Sequence, residues 1–509
     1  MTSQPLSPST VVAVVGSGAM GAGIAQVAAA AGHPVKLLDN RPDAAARAVA
    51  GLGAQFAKLA DKGKMSAAAA AAATARLSAA NSLADLADAG LVVEAIVENL
   101  EAKQSLFRDL EALVGPDCLF GTNTSSISVT AIGAALKRPE RLAGLHFFNP
   151  APLMALVEIV SGLATDRAVA ATLFATAAAW GKTPVQAKST PGFIVNRVAR
   201  PYYAEALRLL HEGAADCATL DACCREAGGF RMGPFELMDM IGHDVNFAVT
   251  NSVWRAFFHD PRFLPSLLQQ ELVDAGFLGK KSGRGFYDYR EGAHPPAPRS
   301  EAPQPPPAGI ALCGDSAAAT ALAERLGAAG QAFVRRASAD GRIAEAGGAV
   351  LFVTDGRSAT RCAAETGIAN LVLVDLALDY GKATRLAVAA AEACDPAALA
   401  AAVGLLQAAG LAVSRLADVP GLAVMRSLAM LANEAADAVN QGVCDAAGAD
   451  AAMRLGVNYP QGPLAWADRV GLPAIRETLV NLGQAYGEDR YRISPLIQQR
   501  FFAGKAFHD

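Results

Sequence analysis

Basic charge is in short supply: 44 Lys and Arg against 48 Asp and Glu leave a net charge of -4. No stretch interleaves lysine or arginine with aromatics, so a nucleic-acid partner is excluded. No uninterrupted apolar run approaches the roughly 18–20 residues that span a bilayer. The opening MTSQPLSPSTVVAVVG has no cationic segment ahead of its apolar run, so neither membrane insertion nor export is expected. The eight cysteines form no C-x-x-C pair, and Cys223 and Cys224 are adjacent. That suits neither a disulfide framework nor a metal site, and a reduced cytoplasm is the expected setting.

What is present is apolar bulk. A chain of 509 residues with 52% hydrophobic content has material for roughly three or four packed domains. From residue 11 the order is strand, glycine turn, helix, strand, in VVAVVGSGAMGAGIAQVAAAAGHPVKLLD. Short apolar runs follow at 91–96, 118–123, 142–148 and 156–160, as an open sheet of mostly parallel strands requires. After STPGFIVNR at 189–197 the character turns helical, ending near KKSGRGFYDY at 280–289. Residues 291–308 are so rich in proline that they read as an extended, semi-rigid linker. Beyond it, IALCG, AVLFVTDG and NLVLVDL form a second small α/β layer without a glycine fingerprint.

The chain also repeats itself. Residues 192–242 align without a gap onto 421–471, pairing Gly192 with Gly421, Arg197 with Arg426, Glu205 with Glu434 and Asp221 with Asp450. The helical segment is therefore duplicated. Its second copy has Met425 where the first has Asn196. The expected fold is α/β plus all-α, in five stretches: a Rossmann-like dinucleotide-binding domain at 1–188, a helical domain at 189–290, the linker at 291–308, a degenerate α/β layer at 309–415 and a second, non-catalytic helical domain at 416–509.

The turn Gly16-Ser17-Gly18-Ala19-Met20-Gly21 sits between a strand and a helix, with Asp39 closing the next strand. All contextual tests of a dinucleotide fingerprint are met. Glycine is needed so that a pyrophosphate can approach main-chain N–H groups at the positive end of the helix. Asp39 would accept the ribose hydroxyls and repel a 2′-phosphate, which favours NAD over NADP. Arg41 lies close enough to oppose that preference.

A hydride acceptor needs a partner that removes a proton. Among the seven histidines, His146 is the one in an apolar strand with a carboxylate, Glu158, in the middle of another strand, LVEIV. A carboxylate among valine, isoleucine and leucine is costly unless paired. An imidazole on a neighbouring strand would satisfy it and have its tautomer fixed in return. A core histidine bonded to a structural glutamate fits the spacing equally well. TNTSSIS at 122–128 places small hydroxyl and amide side chains at a strand end, where substrate oxygens would be held or, for Ser128, a helix capped.

GSGAMGAGIA, VEAIVENLEAK, TNTSSIS, GLHFFNPAPLMALVEIV, STPGFIVNR and GPFELMDMIG, in that order, resemble the 3-hydroxyacyl-CoA dehydrogenase family across residues 11–290. The full length, with its linker and a second helical segment ending RLGVNYPQGPLAWAD, resembles long members of that family in aerobic phenylacetate degradation. The resemblance implies NAD as cofactor and 3-hydroxyadipyl-CoA as substrate, with 3-hydroxybutyryl-CoA the alternative. It implies His146 as general base, Glu158 as its orienting partner, Ser125 on the substrate oxygen and Asn196 positioning substrate and histidine. Glu98, Lys103, Asn149 and Lys281 would complete the nicotinamide pocket, and Lys62 would meet coenzyme A. Gln55 stands where some relatives place a serine on coenzyme A, which departs from the pattern. A homodimer or higher homo-oligomer is expected. A dicarboxylic chain would want a distal cation, and Arg200, one helical turn after Asn196, is the candidate; a salt bridge to Glu205 is its other reading.

Two other readings compete. The lysine-dependent 3-hydroxyisobutyrate and 6-phosphogluconate dehydrogenases open with a similar turn, but GFIVNR offers asparagine where they use lysine. An NAD-responsive scaffold without turnover would have no use for an intact Ser125, His146, Glu158 and Asn196.

Overall fold

A computed structural model describes residues 4–509. The chain forms two compact units: Met1–Arg197 with Gln441–Val457, and Val198–Asn440 with Asn458–Asp509.

The first unit is built on an eight-stranded sheet. Its strands are β1 (Val12–Val15), β2 (Val35–Leu38), β3 (Leu77–Ala79), β4 (Leu91–Glu94), β5 (Leu119–Thr122), β6 (Leu142–Phe147), β7 (Leu156–Ser161) and β8 (Thr183–Lys188). They lie in the order β3-β2-β1-β4-β5-β6-β7-β8. The order reverses at β1, the topological switch point where doubly wound sheets hold a nucleotide. Val12, Val14, Leu37, Val93, Leu145 and Ile159 are buried with Ile24 of the helix Ala19–Ala30 in one core. Burying each such side chain is worth about 1.5–3 kcal/mol, and burial on both faces explains why β1 reads as an unbroken apolar run.

One pair breaks the parallel pattern. Strand β7 runs antiparallel to β6, and its register sets His146 directly opposite Glu158. Directly opposed residues of an antiparallel pair share a face, so two side chains separated in sequence meet because the chain turns back here. From the second helical copy, the helix Ala446–Gly456 packs on β7 and β8, and Lys188 N–H donates to the carbonyl of Val443 at 2.9 Å.

The second unit contains the remaining helices and a seven-stranded sheet. Its strands are β9 (Ile310–Cys313), β10 (Phe333–Arg336), β11 (Arg342–Ala346), β12 (Ala349–Val353), β13 (Leu371–Val374), β14 (Arg385–Ala390) and β15 (Ala412–Arg415), in the order β10-β9-β11-β12-β13-β14-β15. As β7 does on β6, β14 runs antiparallel to β13. The helix Cys217–Glu226 packs on β14, and the helix Val424–Asn440 packs on the helix Arg200–His211. There Arg426 Nε donates to Glu205 Oε2 at 2.8 Å with both side chains buried. The pairing of Arg200 with Glu205 is not formed: five residues apart, they point to different sides of the helix, and the second helical copy supplies the cation instead.

The proline-rich stretch is tethered along its length. Glu301 N–H donates to Val413 O at 2.8 Å and Gln304 N–H to Gln407 Oε1 at 2.7 Å. No described helix is long and apolar enough to cross a membrane.

Candidate active site

The turn after β1 has the shape its glycines predict. Gly16 has φ +103°, and a side chain there would meet the carbonyl oxygen of Ala95 at 2.4 Å; at Gly21 it would meet the carbonyl oxygen of Gly16 at 1.8 Å. Gly18 begins the helix Ala19–Ala30 with no side-chain cap, leaving the first amides for an anion. Ser17, Ala19 and Met20 supply the rest of the turn. At the end of β2, Asp39 Oδ2 accepts from Ser17 N–H at 2.8 Å and from Ser17 Oγ at 2.6 Å, while Arg41 Nε donates to Oδ1 at 2.9 Å. The Arg41 guanidinium, with help from Ser17 and against the upward push of burial, holds the Asp39 carboxyl well below the usual range. A cleft of about 790 Å³ runs beside these residues and is lined by Gly16, Asp39, Asn81, Ile96 and Leu106. Its glycine cradle, free helix amides and ionised Asp39 fit NAD.

Glu98, in the loop after β4, gathers the next strand end around itself. Its Oε1 accepts from Thr124 Oγ1 at 2.7 Å, Ser125 N–H at 2.9 Å, Ser126 N–H at 3.0 Å and Ser126 Oγ at 2.9 Å. Lys103 Nζ lies 3.2 Å from Glu98 Oε2 and 2.6 Å from Glu94 Oε1. Burial alone would raise the Glu98 carboxyl, but the Lys103 ammonium and the Thr124 hydroxyl outweigh it and bring it down to about 2. Lys103 is 1% exposed, so any influence on a cofactor runs through Glu98. Glu94, whose Oε2 accepts from Thr122 Oγ1 at 2.6 Å, escaped the sequence reading. Its signal was the one that picked out Glu158, a carboxylate in an apolar strand.

His146 and Glu158 meet as their register requires. The ring Nδ1 lies 2.6 Å from Glu158 Oε2, and Glu158 Oε1 accepts from the N–H groups of Ile194 and Val195, both at 3.0 Å. Glu158 is fully buried and His146 is 5% exposed. Both carboxylate oxygens are therefore engaged, the ring is fixed, and among the described residues Nε2 makes no hydrogen bond. Phe148 and Phe193 flank the ring, with centroids 4.5 and 5.7 Å away. Asn123 Oδ1 accepts from Phe147 N–H at 2.8 Å and steadies the strand end. Ser125 and Asn196 are half-buried, and Asn196 Nδ2 donates to Ser125 O at 3.4 Å. Ser128 caps the following helix, accepting from Ala131 N–H.

Four further residues are expected to make contacts. Asn149 is exposed and precedes Pro150 through a cis peptide. Lys62 is an exposed C-cap of the helix Ala44–Asp61. Lys281 lies in the second unit, where its ammonium pairs with Asp244. Arg200, also in that unit, is buried with Nη1 donating to Thr250 Oγ1 at 3.0 Å.

The second sheet carries a counterpart of this arrangement with neither the histidine nor the glutamate. After β9 the turn reads Gly314-Asp315-Ser316, and Ser316 caps the helix that follows by accepting from Ala319 N–H at 3.3 Å. The amides that would take a phosphate are thus met by a side chain, with a carboxylate beside them. At the end of β13, Asp375 occupies the position of His146, opposite Ala387 rather than a glutamate.

Residues 11–190 match the family model for the NAD-binding domain of 3-hydroxyacyl-CoA dehydrogenase, and residues 192–289 and 421–507 both match its C-terminal domain. Residues 351–420 match a 3-hydroxybutyryl-CoA dehydrogenase reduced Rossmann-fold domain. The chain is 46% identical over 489 residues to the 3-hydroxyadipyl-CoA dehydrogenase of Escherichia coli K12, covering 96% of this chain and 97% of that one. It is 40% identical over 280 residues to a probable 3-hydroxybutyryl-CoA dehydrogenase of Bacillus subtilis, covering 55% and 97%. The crystal structure of a 3-hydroxybutyryl-CoA dehydrogenase from Escherichia coli K12 superposes with a TM-score of 0.89 at 44% identity, covering 97% of this chain and 98% of that one. The chain belongs to the 3-hydroxyacyl-CoA dehydrogenase family, NAD-dependent oxidoreductases.

Proposed function

We propose that this chain oxidises the 3-hydroxyl of a (3S)-3-hydroxyacyl-CoA to the 3-oxoacyl-CoA with NAD, and that 3-hydroxyadipyl-CoA is its substrate. The observation that carries the reaction is the His146–Glu158 pair: one ring nitrogen is locked by a carboxylate that is itself locked, and the other is left to work. His146 Nε2 takes the substrate hydroxyl proton, and Glu158 stabilises the imidazolium so formed. Ser125 Oγ holds the reacting oxygen, while Asn196, bonded to the Ser125 carbonyl, fixes their separation. NAD, when bound, supplies the acceptor for the hydrogen leaving C3. Phe148 and Phe193 shield the ring from water, which strengthens its bond to Glu158. Glu98 positions Ser125 from behind and is itself held by Lys103.

Asn149 and Lys281 complete the cofactor contacts in this proposal, and Lys62 meets the coenzyme A moiety. The second helical copy plays a structural part, supported by its Met425 and by the altered turn after β9. A cytoplasmic homo-oligomer with acyl-CoA as its small-molecule partner is part of the same reading. The six-carbon dicarboxylic chain is supported by the name of the Escherichia coli relative that matches along nearly the whole length. A second reading, 3-hydroxybutyryl-CoA, is supported by the name of the full-length crystal structure. NADH formation from each of the two acyl-CoA substrates tests both. A higher kcat/KM for the four-carbon compound would overturn the adipyl assignment, and no turnover with either would overturn the activity.

A further inference from the structure

Five arginines in the second unit are buried, and four of them have a carboxylate: Arg262 pairs with Glu434 and Asp437, Arg385 with Glu226, Arg426 with Glu205, and Arg490 with Glu205. The fifth, Arg200, is 5% exposed and has none among the described residues. Its Nη1 donates to the neutral oxygens of Thr250 Oγ1 at 3.0 Å and Asn246 O at 3.5 Å, its Cζ lies 4.8 Å from the centre of the Tyr203 ring, and its Nε has no partner. Burial pulls the guanidinium below its usual range, opposed only by the phenols of Tyr203 and Tyr459. A buried cation left in that state costs free energy unless an anion joins it.

Arg200 faces a chamber of about 310 Å³ whose walls include Tyr203, Leu207, Phe263 and Leu268. That is the small end of the roughly 300–1,000 Å³ range of ligand pockets, too little for a coenzyme. The acidic groups at its rim are already matched: Glu488 accepts two bonds from Arg208, at 3.0 and 2.8 Å, and Glu212 accepts from Arg426 and Tyr486. They do not supply the missing charge, and they are not left to repel an incoming one.

We infer that this chamber binds a short aliphatic carboxylate, with its charged end on the Arg200 guanidinium and its chain against Tyr203, Leu207 and Phe263. Arg200 offers the paired N–H geometry that a carboxylate accepts in bidentate fashion. The carboxylate has two possible sources: a free acid, or the terminal carboxylate of a dicarboxylic acyl-CoA. Only the second rests on the function proposed above.

The experiment is calorimetric titration of the full chain with adipate, hexanoate and hexanamide, repeated on Arg200→Gln, Arg200→Lys and Ser266→Trp. Ser266 lines the chamber and is half-buried, so an indole there obstructs it while leaving Arg200 in place. The unfolding midpoint and circular dichroism of each variant establish that it is folded. The expected result is binding of both carboxylates but not of the amide, weakened about tenfold or more in Arg200→Gln and Ser266→Trp and partly restored in Arg200→Lys. A free acid as the natural occupant predicts that the ratio of kcat/KM for 3-hydroxyadipyl-CoA over 3-hydroxybutyryl-CoA is unchanged in Arg200→Gln; a bound acyl chain predicts that it falls by about tenfold. Adipate affinity that is absent in the wild type, or undiminished in folded Arg200→Gln, overturns the inference. Failure of the proposed dehydrogenase activity would show separately, as no NADH with either acyl-CoA, and would leave the adipate titration standing.

Discussion

Asp375 and Glu158 bind the same two backbone positions of the duplicated segment. Glu158 Oε1 accepts from Ile194 and Val195 N–H, and Asp375 Oδ2 accepts from Ala423 and Val424 N–H at 2.9 and 2.8 Å. In the first sheet the glutamate of β7 takes the amides and also holds the histidine of β6; in the second a single, shorter acid grows from the histidine's own position and takes the amides itself. The requirement retained in both is an acceptor for two N–H groups at a helix start, which would otherwise be buried unpaired. The imidazole is the part that differs.

Asp375 also accepts from Met425 and Leu376 N–H, at 3.1 and 2.8 Å. Asp375→Asn would turn one of its two acceptors into a donor aimed at donors. It should cost about 1–3 kcal/mol of stability, read as a lower urea midpoint, with kcat unchanged. A loss of kcat in folded Asp375→Asn would show that the second sheet contributes to the chemistry.

His146→Gln should lower kcat by about 10²–10⁴-fold, the usual contribution of a positioned base, with little change in KM for the acyl-CoA. Glu158→Gln should fall in the same range and should also be less stable, because an amide that accepts from Ile194 and Val195 turns its NH2 to the ring and cannot accept the Nδ1 proton. Steady-state kinetics alongside urea unfolding separates the two variants.

Lys103 lies between two carboxylates, so Lys103→Met leaves the fully buried Glu94 without its cation. A loss of about 3–5 kcal/mol is expected. The same knot sets an acid response. The folded-state pKa of Glu98 is depressed to about 2 from an ordinary 4.5, so its stabilisation is fully present above about pH 4.5 and is lost as pH falls through about 2. Glu98→Gln should flatten the urea midpoint against pH across that window. An unchanged slope would mean that Glu98 is not ion-paired in solution.

Much of this was legible where chemistry constrains the local chain. The glycines of the first turn follow from sterics that neighbouring backbone imposes, and Glu158 betrays its partner because an apolar strand tolerates no unpaired carboxylate. Glu94 and Asp375 carried that same signal in LVVE and LVLVD, and both have partners supplied by loops or helix starts that periodicity does not locate. Arg200 and Glu205 illustrate what lay beyond reach. They lie five residues apart on one helix, on different faces, and Glu205 takes Arg426, 221 residues away, because two copies of the helical segment pack together. Contacts made by Lys281 with Asp244 are tertiary in the same way.

We expect the preference for NAD to rest on the Asp39 carboxylate. Asp39 is held ionised by Arg41, so a 2′-phosphate brought beside it would be repelled, and the guanidinium that could receive it is occupied. Asp39→Ser removes the repulsion, keeps a hydroxyl-sized acceptor for the ribose and releases Arg41, whose side chain is 66% exposed. The ratio of kcat/KM for NADP over NAD should rise by about tenfold or more, the range expected for exchanging one charged hydrogen-bond partner. Adding Arg41→Ala to Asp39→Ser should abolish the gain with NADP while leaving NAD kinetics near those of the single variant. If Asp39→Ser alone leaves the ratio where it was, Asp39 does not read the ribose and the preference must be assigned to another part of the cleft.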